Sequence, residues 1–393
     1  VKRLNLSSHD LNQLKSIKNN LSGPRKYTEM FIKIGKESNI FRLEVPKEVY
    51  AAYLTDGQEN DTILKLYEEH QDFVMPSHSL KEIKNFVEGG RSDLAISRKK
   101  EKMPWGIPVP GDETQVMYVW FDALVNYIST LGWPENTEEL ERFYPTSVLV
   151  TAFDIIFFWV ARMMMQGLHF MDEVPFADVY IHALVLDEHG KKMSKSIGNT
   201  IDPLDLIDGV SVDNLVAKRT RGLKNPEKAP QIEKATRKQY PDGFEAFGAD
   251  ALRFTLASMA GQGRNIRLSV DRIAGYRNFG TKLWSAASFG QMNGCKPVTD
   301  FDPSLPALAM NKWIVSETAK TAAEVSRCIE GYRFNDAADA AYKFTWDTFC
   351  AWYLEISKPI LSGADSDEKE ETRATFAWVL DQILKLLHPF MPF

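Results

Sequence analysis

The sequence predicts an α/β region built on parallel strands, followed by an all-α region. Three observations carry this. In the middle third, short β-rich runs alternate with helical segments, the pattern of parallel strands joined by crossover helices. From Ala251 onward the apolar spacing is helical almost throughout. The chain has 393 residues, enough for two or three domains with cores of their own.

Residues 1–60 are lysine-rich and mixed in pattern, with short alternating runs at 31–34 and 41–45 that read as strands. From Thr62, Ile63, Leu64, Leu66 and Tyr67 suggest a helix. A second is expected to begin at Ser79, with Glu82 completing a capping box, and to end at Gly89-Gly90. Further on, 116–119 reads as a strand followed by a helix from Phe121, and 147–151 as a second, buried strand. Asp154 is placed to cap the helix carrying Ile155, Phe158, Val160 and Met163, and 179–186 reads as a third strand. Ligands of such sheets bind beyond the carboxyl ends of the strands. Trp120, Ala152 to Asp154 and the loop after Leu186 are therefore expected to converge on one crevice. Long amphipathic helices follow near 271–292, 308–330, 334–360 and 370–388 and should pack as an antiparallel bundle, with a turn at 331–336.

The bulk composition excludes several classes. Hydrophobic residues at 44% and charged residues at 25% are globular values, arguing against disorder and fibrous repeats. The most apolar stretch, 147–165, is interrupted by Asp154 and Arg162, so no membrane partner is expected. The first residues lack the apolar core of a secretory signal, and a cytoplasmic protein is expected. Cys295, Cys328 and Cys350 are widely spaced without a CxxC pair, so neither a disulfide framework nor a zinc site is expected. The net charge of -6 gives no general attraction to nucleic acid, and no DNA partner is expected. One local exception runs from Lys218 to Lys238, where eight lysines and arginines face only Glu227 and Glu233.

The most informative segment is the loop Asp187-Glu188-His189-Gly190-Lys191-Lys192-Met193-Ser194-Lys195-Ser196-Ile197-Gly198-Asn199, placed after a buried strand and before Asp202-Pro203, a helix cap and first helical residue. Flexible ammonium groups beside hydroxyl and backbone donors suit the charge that develops when ATP is cleaved between its α- and β-phosphates. Lys192 and Lys195 are the candidate catalytic residues.

KMSKS followed by Ile-Gly-Asn resembles the signature loop of the class I aminoacyl-tRNA synthetases. The resemblance extends through Leu131-Gly132-Trp133-Pro134-Glu135, Phe153-Asp154-Ile155-Ile156-Phe157-Phe158-Trp159, Gly248-Ala249-Asp250-Ala251-Leu252-Arg253-Phe254 and Gly275-Tyr276-Arg277-Asn278-Phe279. These strings are similar to the valyl-tRNA synthetases over about 130–393. Over about 61–129, Asp93-Leu94-Ala95-Ile96-Ser97-Arg98, Trp105-Gly106-Ile107-Pro108 and Tyr118-Val119-Trp120-Phe121-Asp122-Ala123 resemble the bacterial methionyl enzymes instead. The chain looks like a hybrid of two families that share a fold, changing near Ser129-Thr130-Leu131.

The resemblance implies the second half of a Rossmann-like parallel-sheet catalytic domain plus a helical anticodon-binding bundle. The expected organisation is an unassigned α+β segment at 1–60, a partial catalytic domain at 61–260, a helical connection at 261–307 and a bundle, cut short, at 308–393. It implies ATP contacts at Asp154, Lys192, Met193, Ser194, Lys195 and Ser196, and an amino-acid pocket at Trp120, Ala123, Ile155 and Trp159, with Tyr127 also matching a methionyl pocket position. The methionyl family carries histidine where Trp159 stands, so the pocket is mixed. At Asp154 the family's preceding glycine is Ala152, whose methyl crowds the nucleotide. Candidate tRNA-binding residues are Lys218, Arg219, Arg221 and Arg277. The implied function is valine–tRNA ligase, using ATP with Mg2+ and a valine-type tRNA. The alternatives are methionine–tRNA ligase, a non-catalytic tRNA-binding fragment, or a misassembled reading frame. The family's His-x-Gly-His signature is not found in the sequence, nor is the editing domain that valyl enzymes insert, so little or no activity is expected of this chain alone.

Overall fold

A computed structural model describes residues 31–34, 39–42, 57–88, 97–109, 111–119, 123–135, 137–261 and 265–393. The chain divides into two compact units, Val1–Ile181 and His182–Phe393.

In the first unit, β1 (Phe31–Ile34) pairs antiparallel with β2 (Asn39–Arg42). Helix α1 (Gly57–Glu69) is followed by a short strand, β3 (Val74–Met75), and helix α2 (Ser77–Glu88). Apolar positions three and four apart put Ile63 and Tyr67 of α1 and Leu80, Ile83 and Val87 of α2 into one buried cluster. The cap expected at Ser79 is not observed. Helix α2 starts two residues earlier, so Ser79 lies inside its first turn, buried, with its Oγ lacking a hydrogen-bond partner. Gly89-Gly90, expected to end this helix, lies outside the described residues.

The segment 97–117 departs from the expected parallel pattern. Strands β4 (Ser97–Lys99), β5 (Pro108–Val109) and β6 (Asp112–Met117) form a small antiparallel sheet with β6 in the centre. The link from β5 to β6 is too short for a crossover helix, and Gly111, at φ 83°, reverses the chain. The helix expected from Phe121 is a short turn, α3 (Asn126–Ser129); residues 120–122 lie outside the described residues.

A larger sheet has the order β3, β8, β7. After α4 (Glu138–Phe143), capped by Thr137, come β7 (Thr146–Ala152), α5 (Ala161–Met171) and β8 (Phe176–His182). The β3 and β8 strands are parallel, Val74 opposite Val179. Because β8 is central, Val179, Tyr180 and Ile181 are buried in succession. β7 is an edge strand, so the expectation of a second buried strand is corrected: Val150 is 60% exposed and only Thr151 and Ala152 are buried. The third expected strand also divides, β8 ending at His182 and β9 (Val185–Leu186) pairing elsewhere.

The second unit opens with β9, which pairs parallel with β10 (Ile266–Arg267). Between them lie α6 (Pro203–Asp208), α7 (Val212–Thr220), α8 (Ala229–Gln239) and α9 (Ala249–Met259). Leu206, Leu215, Phe244, Phe247, Leu252 and Ile273 form the core of this part.

The bundle follows as predicted: α10 (Val270–Met292), α11 (Ala309–Glu330), α12 (Phe334–Lys343), a wide-turned helical segment Phe344–Tyr353, α13 (Leu354–Ser362) and α14 (Asp367–Leu387). The turn between α11 and α12 places Tyr332 at φ 55°. Among the buried apolar side chains, Asn311 donates to Glu371 at 2.8 Å and accepts from the Tyr353 hydroxyl at 2.8 Å. Glu371 also accepts the backbone N–H groups of Ala307 and Leu308, which precede α11 and have no partner in that helix.

Among the described residues, no helix is long and apolar enough to cross a membrane. Among them, too, no group of three or more His, Cys, Asp or Glu side chains is arranged to hold a metal ion, and Cys295, Cys328 and Cys350 are all free thiols.

Candidate nucleotide-handling loop and amino-acid pocket

The KMSKS segment is a loop stitched at both ends. Asp187, immediately after β9, is buried. Its Oδ1 accepts the N–H groups of His189 at 3.0 Å and Lys191 at 2.8 Å, and its Oδ2 accepts from the Asn199 side chain at 2.9 Å. Burial raises the Asp187 pKa, but the donors from Lys191, Asn199 and His189 outweigh it and hold the carboxyl below its ordinary value.

Asn199 faces both ways across the loop. While its Nδ2 binds Asp187, its Oδ1 accepts the Ser194 N–H at 2.9 Å. One amide thus ties the end of the strand to the middle of the signature. Between them Ser194 Oγ and Ser196 Oγ lie 2.8 Å apart, and Gly198 N–H closes a turn on Ser194 O at 3.1 Å.

The five signature side chains divide by exposure. Lys192, Lys195 and Ser196 are exposed, whereas Met193 packs against the core of the second unit. Met193 therefore anchors the loop by burial, and the ammonium groups remain presented to solvent. Asp202 caps α6 through the Leu204 N–H at 3.0 Å, with Pro203 at the first helical position, as the sequence predicts. That hydrogen bond, reinforced by Lys218 and by the positive charge of Lys195, lowers the Asp202 pKa.

Three of the four residues assigned to RNA have structural partners. Lys218 bridges Asp202 at 3.3 Å and Asp205 at 2.5 Å, and Arg219 Nε donates to Gly198 O at 2.9 Å. Arg277 pairs with Glu245 at 2.6 Å and lies over the Phe247 ring. Arg221 is exposed, as are Lys224, Lys228, Lys234 and Lys238. Asp187 and Asn199 are the two ends of the loop in the sequence, but their role in holding it is a finding of the structure. Their short side chains flanking a glycine-bearing turn were the available signal.

The candidate amino-acid pocket belongs to the first unit. Trp120 lies outside the described residues. Ala123 and Ile155 are half-buried, and Trp159 packs against the cluster formed by α1, α2 and α5. Tyr127 packs half-buried against the core: its hydroxyl donates to Met163 O at 2.9 Å and its ring stacks on Tyr144. Burial raises its pKa strongly.

Asp154 does not cap the helix as expected. After Ala152, a tight turn at Phe153–Ile155 is followed by a wide turn at Ile156–Val160 and then α5. Ala152 holds the cap position, no side chain caps either start, and exposed Asp154 sits within the first turn. Wide turns of this kind are rare and often mark functional positions. Here Ile155 and Trp159 lie at its beginning and within it, a local backbone feature that helical periodicity does not reveal.

Two family models match the chain: tRNA synthetases class I (I, L, M and V) over residues 111–269, and the anticodon-binding domain of tRNA ligase over residues 311–393. The valine–tRNA ligase of Caulobacter vibrioides is 54% identical over 308 residues, 78% of this chain and 30% of that protein. That of Rhodopseudomonas palustris is 53% identical over 281 residues, 72% of this chain and 26% of that protein. The chain thus spans between a quarter and a third of the length of these relatives. Among solved structures, Mycobacterium tuberculosis methionyl-tRNA synthetase bound by methionyl-adenylate has a TM-score of 0.61 at 22% identity, covering 86% of this chain and 60% of that one. At that identity the likeness is one of fold. The signature loop, the two matched domains and relatives that are valine–tRNA ligases all agree, and the chain belongs to the class I tRNA synthetases of the I, L, M and V group.

Proposed function

We propose that this chain is part of a valine–tRNA ligase, in which valine and ATP give an adenylate and pyrophosphate and the acyl group then passes to a valine-type tRNA. The observation that carries this is the KMSKS loop, with Lys192 and Lys195 exposed on a turn fixed by Asp187 and Asn199. In this reading the two ammonium groups stabilise the negative charge that builds on the ATP phosphates, aided by the Ser194 and Ser196 hydroxyls. Magnesium would arrive with the nucleotide, held mainly by phosphate oxygens and water. Asp154 would meet the adenosine ribose.

Trp120, Ala123, Ile155 and Trp159 would bound the amino-acid side chain. The indole at 159, where methionyl enzymes have histidine, favours the shorter valine. A methylene more or less in such a pocket is worth about 1 to 3 kcal/mol, so the preference is moderate. Exposed Arg221 and Lys218, with Arg277 in the same unit, and the bundle after residue 308 would take the RNA. A cytoplasmic location goes with this reading.

Amino-acid-dependent exchange of pyrophosphate into ATP, with valine, methionine and isoleucine compared, tests the assignment. Without the His-x-Gly-His donors in its sequence, the 393-residue chain should exchange at background, since removing one transition-state donor commonly costs about 3 to 4 kcal/mol. ATP binding should still be measurable and should weaken about tenfold in Lys195→Ala. Exchange supported by methionine and not by valine would replace the valine assignment. ATP affinity indifferent to both lysines would remove the nucleotide role from the loop.

A further inference from the structure

We propose that the hairpin of α7 and α8 seats the KMSKS loop, and that Arg219 is the positioning residue through which it does so. The proposal rests on the reading of Lys192 and Lys195 as the groups that meet the ATP phosphates.

Three contacts converge on the carboxyl-terminal half of the loop. Arg219, near the end of α7, donates from Nε to Gly198 O at 2.9 Å. The Lys224 N–H, in the turn beyond α7, donates to Ser196 O at 3.0 Å. Gly198, at φ 77°, lies so close to the hairpin that a Cβ there would stand 2.6 Å from Arg219 O, 2.9 Å from Ile232 Cδ1 and 3.0 Å from Leu223 Cδ2. Glycine is therefore required twice at this position, for the backbone angle and for the approach of the hairpin. Besides the Asp187–Asn199 link inside it and the packing of Met193, the loop therefore has an anchor on the hairpin.

Arg219 differs from its basic neighbours in its surroundings. The Arg221, Lys224, Lys228, Lys234 and Lys238 side chains are exposed, as a phosphate-contacting surface needs to be. Arg219 is half-buried. Burial lowers the pKa of its guanidinium, while Tyr240, Glu188 and Asp187 draw it back up. A fixed, partly desolvated cation bonded to a main-chain carbonyl is suited to holding backbone, and less suited to a diffusing polyanion. Because a lysine ammonium sits at the end of a flexible stem, it would not reproduce a donor fixed at the Nε position. One short helix pair thus carries an exposed basic surface and, through Arg219, the placement of Lys195 three residues before Gly198.

The test uses the 393-residue chain with Arg219→Ala, Arg219→Lys and, as a comparison on the same hairpin, exposed Gln231→Ala. Amide hydrogen exchange of residues 192–199, ATP titration, thermal melting and a tRNA gel shift are measured on each. Both Arg219 variants should speed exchange of the loop amides about tenfold, the scale of a lost hydrogen bond to a charged donor. They should weaken ATP binding several-fold at nearly unchanged melting temperature, while Gln231→Ala changes neither. Should Arg219→Ala not fold, Arg219→Lys keeps the charge and much of the stem and decides the matter alone. Wild-type exchange in Arg219→Lys would overturn the proposal, as would loss of the tRNA shift without any change in the loop. If the loop loosens in both variants but the wild-type chain binds no ATP, the clamp stands and the phosphate reading of the lysines fails.

Discussion

The KMSKS loop and the helical bundle lie in the same compact unit yet are held by different means. The loop buries Asp187 and Gly198 and half-buries Met193, and owes its shape to hydrogen bonds among Asp187, Asn199, Ser194 and Arg219. The bundle is held by interlocked apolar side chains, with Phe279, Ile314, Phe349, Phe376 and Ile383 fully or almost fully buried. Burial of apolar area is additive and tolerant of small movements. A hydrogen-bonded loop depends on particular atoms and can open without unfolding what surrounds it. A segment that must receive and release a nucleotide is served by the second kind of construction.

The largest test of this contrast is Phe349→Ala. Phe349 is fully buried, with its ring centroid 5.0 Å from that of Phe376 and 5.9 Å from that of Tyr353. Truncation should cost about 3 to 5 kcal/mol and lower the melting temperature of the unit, and denaturant unfolding measures it. If the same variant selectively loosened the 192–199 amides while leaving the bundle intact, the division into two kinds of construction would fail.

Asn311→Leu sharpens the comparison from within the bundle, because Asn311 is a polar exception in an apolar core. The substitution removes the acceptor of the Tyr353 hydroxyl and one donor to Glu371, leaving a buried hydroxyl unpaired. A cost of about 1 to 3 kcal/mol follows. Tyr353→Phe in the same background should recover part of it, since deleting both partners of a buried hydrogen bond is milder than deleting one.

What the sequence revealed follows the same division. The bundle was legible because helical periodicity reports which face is buried: the expected 271–292 and 308–330 are Val270–Met292 and Ala309–Glu330. The cap at Asp202 was legible because a short acceptor before proline has one common use. The small antiparallel sheet at 97–117 was not, since its direction is set by a reversal at Gly111 rather than by strand composition. Neither was the exposure of β7, which depends on its position at a sheet edge. In the site, Lys192 and Lys195 were identified from the signature they belong to. Asp187 and Asn199 bound the loop in the sequence, but their role lies in a pairing twelve residues apart, visible only once the loop is folded. In the sequence Arg219 is one more cation in a basic run, and its use of Nε on Gly198 O is a matter of geometry.

The smallest expected effect concerns Asp187, and it separates the loop from the bundle by pH. The Asp187 carboxyl is held below its ordinary value in the folded chain by the donors around it. Its contribution to loop order is therefore fully present above the unfolded value of about 3.9 and is lost as pH falls through the lower folded value. Exchange of the 192–199 amides, corrected for intrinsic rates, should be flat from neutrality down to about pH 4 and rise below it. In Asp187→Asn the amide oxygen can still accept the His189 and Lys191 N–H groups, but its NH2 faces the Asn199 NH2, so that link alone is broken. Roughly fivefold faster exchange at Ser194 is expected at neutral pH, the size of one ordinary hydrogen bond, without the acid-dependent step. An acid-dependent step that survives in Asp187→Asn would assign the titration to another group and leave Asp187 as a packing residue.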